Sequence, residues 1–158
     1  MNAINADPEN GPEGKRKMQV KYKYVDPLAL PPVYATVGSA CFDLHSIDLA
    51  TIRPGEQATI RTGLVFEVPL NHVMLLYSRS GHAAKFNIRL ANCVGVIDSD
   101  YRGQICVLLH NDGFEAYTVR PQDRIAQAMI LPLPEIELVR VQDVTETARG
   151  MNGFGSTG

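Results

Sequence analysis

Two aspartates and a tyrosine lie close together in the string Ile97-Asp-Ser-Asp-Tyr-Arg-Gly103, between two apolar runs. Carboxylates can take up a proton from a reacting group, and an aromatic ring beside them can contact a substrate. Asp is also a favoured turn residue, so Asp98 and Asp100 alone fit a simple turn. Tyr101 beside Arg102 is more than a turn requires. The string therefore predicts a functional loop on a rigid support.

The apolar runs on either side of this loop must position it. Residues 93–97 and 104–109 are short and contain β-branched side chains, which favour strands. Gly103 closes the polar segment between them and can adopt the positive φ that tight turns often need. These patterns predict a β-hairpin that carries the two acids at its tip.

Length, charge and cysteine content limit the class of protein. The chain has 158 residues, of which 45% are hydrophobic, and a formal net charge of -2 at pH 7. We expect one domain, with no nucleic acid and no membrane as partner. Three widely spaced cysteines without a C-x-x-C pair argue against a disulfide framework and a zinc site. No apolar run suits a membrane span or a signal peptide, so we expect a soluble intracellular protein, cytoplasmic or, in a eukaryotic or virus-infected host, nuclear.

Composition divides the chain into three parts. Residues 1–17 are polar and predict a flexible tail, and the Gly-rich residues 145–158 predict a mobile arm. Between them, residues 18–144 alternate short apolar segments with turn residues, which predicts an all-β sandwich or barrel with at most one short helix, near 82–86. Asn111-Asp-Gly113 is the clearest hairpin signal. The candidate strands cover residues 18–25 (half-buried), 40–49, 57–68, 73–77, 88–91, 94–97, 104–110, 115–120, 124–131 and 136–141.

Two segments have the chemistry of an anion site. Gly153-Phe-Gly-Ser-Thr-Gly158 has the letters of G-x-G-x-x-G, but a Rossmann motif must open a helix and here the sequence stops. Its backbone N–H groups can still form a phosphate nest, with Phe154 to stack on a base and Arg149 to pair with phosphate; a disordered tail is the alternative. Arg79 and Ser80 precede the possible helical turn, where N–H groups are unpaired, although a capping Ser beside a surface Arg is the commoner meaning.

Other charged residues give weaker signals. Asp43 lies between Phe42 and Leu44, so a buried carboxylate that needs a partner is expected. Asp123 with Arg124 is typical of a turn. None of the histidines has metal-ligand spacing, and no Ser-His-Asp triad follows from the sequence, so we interpret the histidines as surface or capped residues: His45, His72, His82 and His110.

Five segments, taken together and in order, resemble the trimeric dUTP pyrophosphatase (dUTPase) family from Met18 onward. The resemblance implies a jelly-roll-like β-barrel that assembles as a homotrimer with active sites shared between chains. It also implies Mg²⁺-dependent hydrolysis of dUTP to dUMP and pyrophosphate by in-line attack of water on the α-phosphate, which keeps uracil out of DNA and supplies dUMP for dTTP synthesis. The segments are Gly38-Ser-Ala-Cys-Phe-Asp-Leu44, Ser78-Arg-Ser-Gly81, Gly95-Val-Ile-Asp-Ser-Asp-Tyr-Arg-Gly103, Asp123-Arg-Ile-Ala-Gln127 and Arg149-Gly-Met-Asn-Gly-Phe-Gly-Ser-Thr-Gly158.

The resemblance also implies a role for each matching residue. Asp98 would be the general base, Tyr101 would pack on the deoxyribose and exclude a 2′-hydroxyl, and Asp43 would support Mg²⁺ through water. Asn92 and the backbone around Val96 would read the uracil edge. The α- and β-phosphates would be held by Arg79, Ser80, Gly81 and Gln127. Phe154 would stack on uracil while the rest of the arm closes over the β- and γ-phosphates through Arg149, Gly155, Ser156 and Thr157.

The chain departs from the family pattern at four positions. Ser78 stands where Pro is usual, Cys41 where Gly is common, His82 where an apolar residue is usual, and Gln122 where Gly often occurs. None of these changes removes a proposed catalytic group.

Three alternatives to a dUTPase stay open. A dCTP deaminase-like enzyme shares the fold and the phosphate grip, but it should lack the string from Ile97 to Tyr101 because deamination attacks the base. A nucleotide-sensing or protein-binding regulator on the same fold is the second alternative. A structural jelly roll fits least well, because it has no use for a Gly-rich terminal arm.

Overall fold

A computed structural model describes residues 18–155 of the chain. This part contains eleven strands and one short helix, which confirms the all-β prediction, and it has no helix long and apolar enough to cross a membrane. The predicted tail, 1–17, lies outside the described residues. The elements are β1 (Lys21–Tyr24), β2 (Phe42–His45), β3 (Ala50–Ile52), β4 (Gln57–Arg61), β5 (Leu64–Glu67), β6 (His72–Tyr77), α1 (Ser80–Phe86), β7 (Ile88–Leu90), β8 (Val94–Ile97), β9 (Cys106–Asn111), β10 (Tyr117–Val119) and β11 (Arg124–Pro132).

The strands form two larger sheets and two strand pairs, all antiparallel. One sheet has the order β2-β11-β6-β8, the other has the order β4-β9-β7, and β1 pairs with β5 and β10 with β3. The inward side chains form one apolar cluster that includes Leu44, Ile60, Met74 and Leu109, each at most 1% exposed. This is the jelly-roll-like arrangement that was predicted.

Alternation along the strands places polar groups at the face away from this core. In β2, Phe42 and Leu44 are buried, so Asp43 points to the opposite face. Gln127 is half-buried between the buried Ala126 and Ala128 of β11, and it lies in register with Asp43. The sheet therefore brings a carboxylate and an amide together from distant parts of the sequence.

The predicted hairpin around Asp98 is wrong. β8 pairs with β6 in one sheet, whereas β9 pairs with β4 and β7 in the other, so the loop between them connects two sheets. Apolar patterns locate a strand, but long-range packing selects its partner. Gly95 shows this selection, because a Cβ there would meet Leu76 Cβ at 3.0 Å across the β6–β8 ladder.

The predicted hairpin at 111–113 is also wrong, because β10 pairs with β3 and not with β9. Asn111 is fully buried and bonds to three backbone groups. Its amide donates to the carbonyls of Ile52 and Glu115, both at 2.8 Å, and its Oδ1 accepts from the N–H of Gly113 at 2.8 Å. The side chain of Asn111 thus links the end of β9 to β3. A tight hairpin that paired β9 with β10 would not allow this link.

Other strand boundaries differ from the sequence prediction for local reasons. Segment 57–68 is two strands, since Gly63 adopts φ +70° between them. Strand β3 lies between the predicted segments 40–49 and 57–68 and was not predicted. Segment 136–141 forms no strand, because its exposed backbone has no partner strand in the described chain. Every residue of strand β1 is exposed in the single chain, so the prediction of a half-buried strand is wrong.

Candidate functional site

The carboxylate of Asp43 lies at the centre of a polar cluster on β2, β11 and the end of β6. Its Oδ1 accepts from Nε of Arg79 at 3.1 Å and its Oδ2 accepts from Nη1 of Arg124 at 3.4 Å. The Asp43 side chain is only 14% exposed. The expectation that this acid has a partner is confirmed, because two arginines pair with it at the surface of the sheet.

Arg79 lies at the junction of β6 and α1. Its Nη1 also donates to the carbonyl of Arg124 at 3.3 Å, while no partner of Nη2 occurs among residues 18–155. Ser80 and Gly81 form the exposed first turn of α1. The carbonyl of Arg79 accepts from the N–H groups of the two residues after Gly81, 82 and 83. The N–H groups of Ser80 and Gly81 are therefore free to bind an anion together with Arg79.

Ser78, the residue before Arg79, has a structural role. Its Oγ accepts from the N–H of Leu90 at 2.8 Å, and its carbonyl accepts from Nε2 of Gln127 at 3.0 Å. These bonds tie the residue before Arg79 to β7 and β11. The hydroxyl gives a cross-link that a proline side chain does not supply, so Arg79 keeps a fixed backbone.

The loop that carries Asp98 is closed by backbone contacts. The N–H of Tyr101 donates to the carbonyl of Asp98 at 3.2 Å, and the hydroxyl of Tyr101 donates to the carbonyl of Gln104 at 3.1 Å. Gly103 leaves room for the Tyr101 ring, because a Cβ there would overlap it. Asp98 is exposed, and its carboxylate has no hydrogen-bond partner within the described part of the chain, so it is free to contact a ligand.

Val96 lies on strand β8, and Asn92 lies in the turn that precedes it. Asn92 is exposed in the turn before the strand, and its carbonyl accepts from the N–H of Val94 at 2.6 Å. Val96 is 62% exposed. β8 is the last strand of its sheet, so one row of its backbone groups can bind a flat ligand that has donors and acceptors along its edge.

The hydrogen bonds found in the described part of the arm, 145–155, are local. Arg149 Nε donates to the carbonyl of Asn152 at 2.8 Å, and the N–H of Gly150 donates to the carbonyl of Thr147 at 3.0 Å. The Phe154 side chain is fully exposed, and Gly155 follows it with φ +89°. Ser156 and Thr157 lie outside the described residues, and the mobility of the arm stays a prediction.

Within one chain, the predicted site residues fall into two groups, one near Asp98 and one near Arg79. Ile97 pairs with Met74 near the start of β6, whereas Arg79 follows the end of β6 at Tyr77. At about 3.4 Å per residue, Asp98 and Arg79 differ by roughly 20 Å along the strand direction. Asn92 lies at the Arg79 end of β8, because Val94 pairs with Tyr77. A single chain therefore does not bring the candidate base to the candidate phosphate ligands.

Two residues of the cluster were not identified from the sequence. Arg124 contacts Asp43, although its sequence neighbourhood predicted only a turn, and His82 lies next to Arg79. The interpretation of His82 and His45 as surface or capped residues is wrong. Both are half-buried with Nδ1 lacking a partner among the described residues, and burial above all lowers the pKa of each. For Arg124 and His82, the sequence signal was their position within or next to the five segments that resemble the dUTPase family.

The described residues contain no group of three or more His, Cys, Asp or Glu side chains that could hold a metal ion. Among the described residues, Asp43 is the carboxylate that pairs with both Arg79 and Arg124, so both of its oxygens face arginines. Mg²⁺ commonly keeps several waters and binds through one or two carboxylates and substrate phosphates. One carboxylate is within what a hydrated Mg²⁺ ion commonly uses, so the residues present are compatible with Mg²⁺.

Comparison with known proteins places the chain in a family. The dUTPase family profile matches residues 29–158. The chain is 46% identical over 141 residues to the deoxyuridine 5'-triphosphate nucleotidohydrolase of Nautilia profundicola, which covers 89% of this chain and 99% of that protein. It is 48% identical over 131 residues to the enzyme of that name from Caulobacter vibrioides, with 80% and 84% covered. The fold superposes on Staphylococcus bacteriophage 80alpha dUTPase with dUPNHPP, at a TM-score of 0.83 and 26% identity over 90% of this chain and 99% of that one. This chain belongs to the dUTPase family.

Proposed function

We propose that this protein hydrolyses dUTP to dUMP and pyrophosphate with Mg²⁺, and so keeps uracil out of DNA and supplies dUMP for dTTP synthesis. In this reaction, the water oxygen attacks the α-phosphorus, and the bond from that phosphorus to the bridging oxygen of the β-phosphate breaks. The proposal depends on the observation that Asp43 fixes the Arg79 guanidinium close to Gln127, which is bonded to the residue before Arg79. The chain belongs to the dUTPase family, which supports the same function.

The phosphate groups would bind at the end of β6. Arg79 offers Nη2, the first turn of α1 offers the hydroxyl of Ser80 and the N–H of Gly81, and Gln127 offers its second amide N–H. Donors fixed before the substrate arrives lose little freedom on binding. These groups suit the oxygens of the α- and β-phosphates, where negative charge develops as the bond breaks.

The attacking water would be deprotonated by Asp98 of a neighbouring chain. Within one chain Asp98 and Arg79 are too far apart to act on one phosphate, as the register of β6 and β8 indicates. A closed homotrimer would place the loop of one chain against the phosphate ligands of the next. An exposed carboxylate without a partner in its own described chain suits that arrangement.

The nucleoside would bind along β8 and its loop. The free backbone edge near Val96, with Asn92, suits the donors and acceptors on the edge of uracil. The Tyr101 ring, fixed by its bond to Gln104, would pack on the deoxyribose. A 2′-hydroxyl would meet the ring without a partner, so UTP should be a poor substrate.

The arm would act as a lid over the bound nucleotide. Arg149 and Phe154 are exposed and carry the chemistry to pair with phosphate and to stack on a base. Gly155 and the terminal Ser156 and Thr157 would add donors to the β- and γ-phosphates. Closure would exclude bulk water from the reacting phosphorus.

Mg²⁺ would bind with the triphosphate and contact Asp43 through water. When bound, the ion supplies positive charge that offsets the charge of the phosphate oxygens. The arginines that flank Asp43 hold its carboxylate in place for that contact.

The test compares the parent with Asp98→Asn, using Mg²⁺ with dUTP to measure dUMP and pyrophosphate, and Mg²⁺ with dCTP to measure ammonia. Loss of the base should lower kcat by about 10² to 10⁴ while nucleotide affinity changes much less. Asp100→Asn in the same loop is the matched control and should retain near-parental turnover. Parental turnover by Asp98→Asn would remove the assigned base, and ammonia release from dCTP without dUTP hydrolysis would favour the deaminase alternative.

A further inference from the structure

His82 lies one helical turn after Arg79 and faces the same cleft. Its ring centroid is 5.8 Å from that of Tyr117 on β10 and 6.2 Å from that of Phe86 on α1. The Tyr117 and Phe86 rings are themselves 5.2 Å apart. The imidazole is therefore held by aromatic surfaces from two elements.

The polar edge of the imidazole faces the guanidinium of Arg79. Nη1 of Arg79 lies 3.4 Å from Nε2 of His82, while Nε of Arg79 is bonded to Asp43 at 3.1 Å. An arginine side chain has only donors, so the contact is favourable only when Nε2 carries a lone pair. An apolar residue in the same place fills the aromatic cluster but cannot accept this hydrogen bond.

We propose that His82 is a positioning residue for the phosphate ligand Arg79: its neutral Nε2 accepts a hydrogen bond from Nη1 and keeps Nη2 available to the substrate. This inference rests on the proposed function, in which Arg79 binds the phosphates of dUTP. It adds a pH sensitivity to nucleotide binding that an apolar residue would not give.

The surroundings of His82 keep the imidazole neutral at neutral pH. Burial is the main cause that lowers its pKa below the ordinary value of 6.5, and Arg79 lowers it further. As pH falls through the lowered pKa, Nε2 gains a proton, stops accepting and adds positive charge beside Arg79. The charged groups that act on His82 or line the same cleft are Arg79, Arg124, Asp43, Asp123, Glu115 and Arg120, with the phenol of Tyr117.

The experiment measures the Kd of a non-hydrolysable dUTP analogue, the α,β-imido nucleotide, with Mg²⁺ by calorimetry between pH 7.5 and 5. His82→Leu removes the acceptor and should weaken binding about 3- to 10-fold at pH 7.5, the range for one hydrogen bond. His82→Gln keeps an acceptor that does not titrate, so it should match the parent at pH 7.5 and bind more tightly than the parent at pH 5. His72→Gln, at the opposite end of β6, is the control and should follow the parent at every pH.

Each outcome decides for or against this role. Protonation of the nucleotide itself is common to all variants and cancels when the Kd values are compared at one pH. Equal binding by the parent and His82→Leu at pH 7.5 would overturn the proposal. So would relative tightening of the parent at pH 5, because the imidazolium would then contact phosphate directly. If His82→Leu unfolds, the parent and His82→Gln still decide, and failure of the parent to bind the analogue would refute the proposed function itself.

Discussion

Replacement of Asp43 by Asn tests whether the two arginines depend on a charged partner. The Asp43 side chain is 14% exposed and faces Arg79 at 3.1 Å and Arg124 at 3.4 Å. An amide retains one acceptor but removes the negative charge. Arg79 would then be a partly buried cation whose fixed bond to β2 is weakened.

The size of the effect follows from these distances and exposures. A charge-assisted hydrogen bond such as that to Arg79 contributes about 1.5–3 kcal/mol to stability. The longer contact to the half-exposed Arg124 contributes under about 1 kcal/mol, because solvent screens it. Since the amide keeps part of the first bond, Asp43→Asn should lower the free energy of unfolding by about 1–3 kcal/mol.

Urea unfolding followed by circular dichroism measures this loss, at one protomer concentration because assembly affects apparent stability. The matched control is Asp112→Asn, which removes the carboxylate from the exposed pair with Arg89. The control should lose less stability, and only Asp43→Asn should also weaken binding of dUTP. Equal losses in both variants would refute the argument that burial makes the Asp43 cluster the stronger one.

Further predictions concern pH, backbone shape and the arm. Asp48 accepts from the side chain and the N–H of Arg61, and the side-chain bond above all holds its pKa below 3.8. The stabilising effect of the Asp48 carboxylate is therefore present above pH 3.8 and is lost as pH falls through its folded-state pKa. Asp48→Asn should therefore flatten the dependence of the unfolding free energy on acid pH, as measured by urea titrations. Parallel curves for the parent and the variant would contradict this. Gly63→Ala should lower stability by about 2–4 kcal/mol, because φ is +70° and the new Cβ would lie 2.7 Å from a neighbouring side chain, whereas Gly55→Ala, with φ +76° in open space, should cost about 1 kcal/mol. Similar melting temperatures for those two variants would exclude the steric argument. Phe154→Ala should raise the KM for dUTP by about 5- to 150-fold, since a stacked base contributes about 1–3 kcal/mol, and should leave the melting temperature unchanged because the ring is fully exposed. Unchanged KM would remove Phe154 from the lid.

Several features of the protein were determined by local sequence patterns. Alternation of apolar and polar residues located most strands, because the two faces of a strand meet different surroundings at every second residue. The same alternation placed Asp43 on the polar face of β2. The five recurring segments identified the family, since each combines a turn or strand end with a specific set of polar groups.

Strand pairing was decided only in the folded chain. The string around Asp98 looks like a hairpin, yet β8 pairs with β6, where Gly95 allows close approach to Leu76. Partner choice depends on the shapes of side chains that are distant in sequence, and periodicity does not encode those shapes. The same holds for Asn111, whose buried amide replaces the predicted turn.

The contacts of the candidate site were likewise set by tertiary structure. Arg124 reaches Asp43 across 81 positions of sequence, and the ring of His82 packs against Tyr117 of the distant strand β10. The sequence names the groups that can bind a nucleotide, because chemical type is local. It does not give their distances, because those arise when the sheets pack around the core and fix which groups share one face.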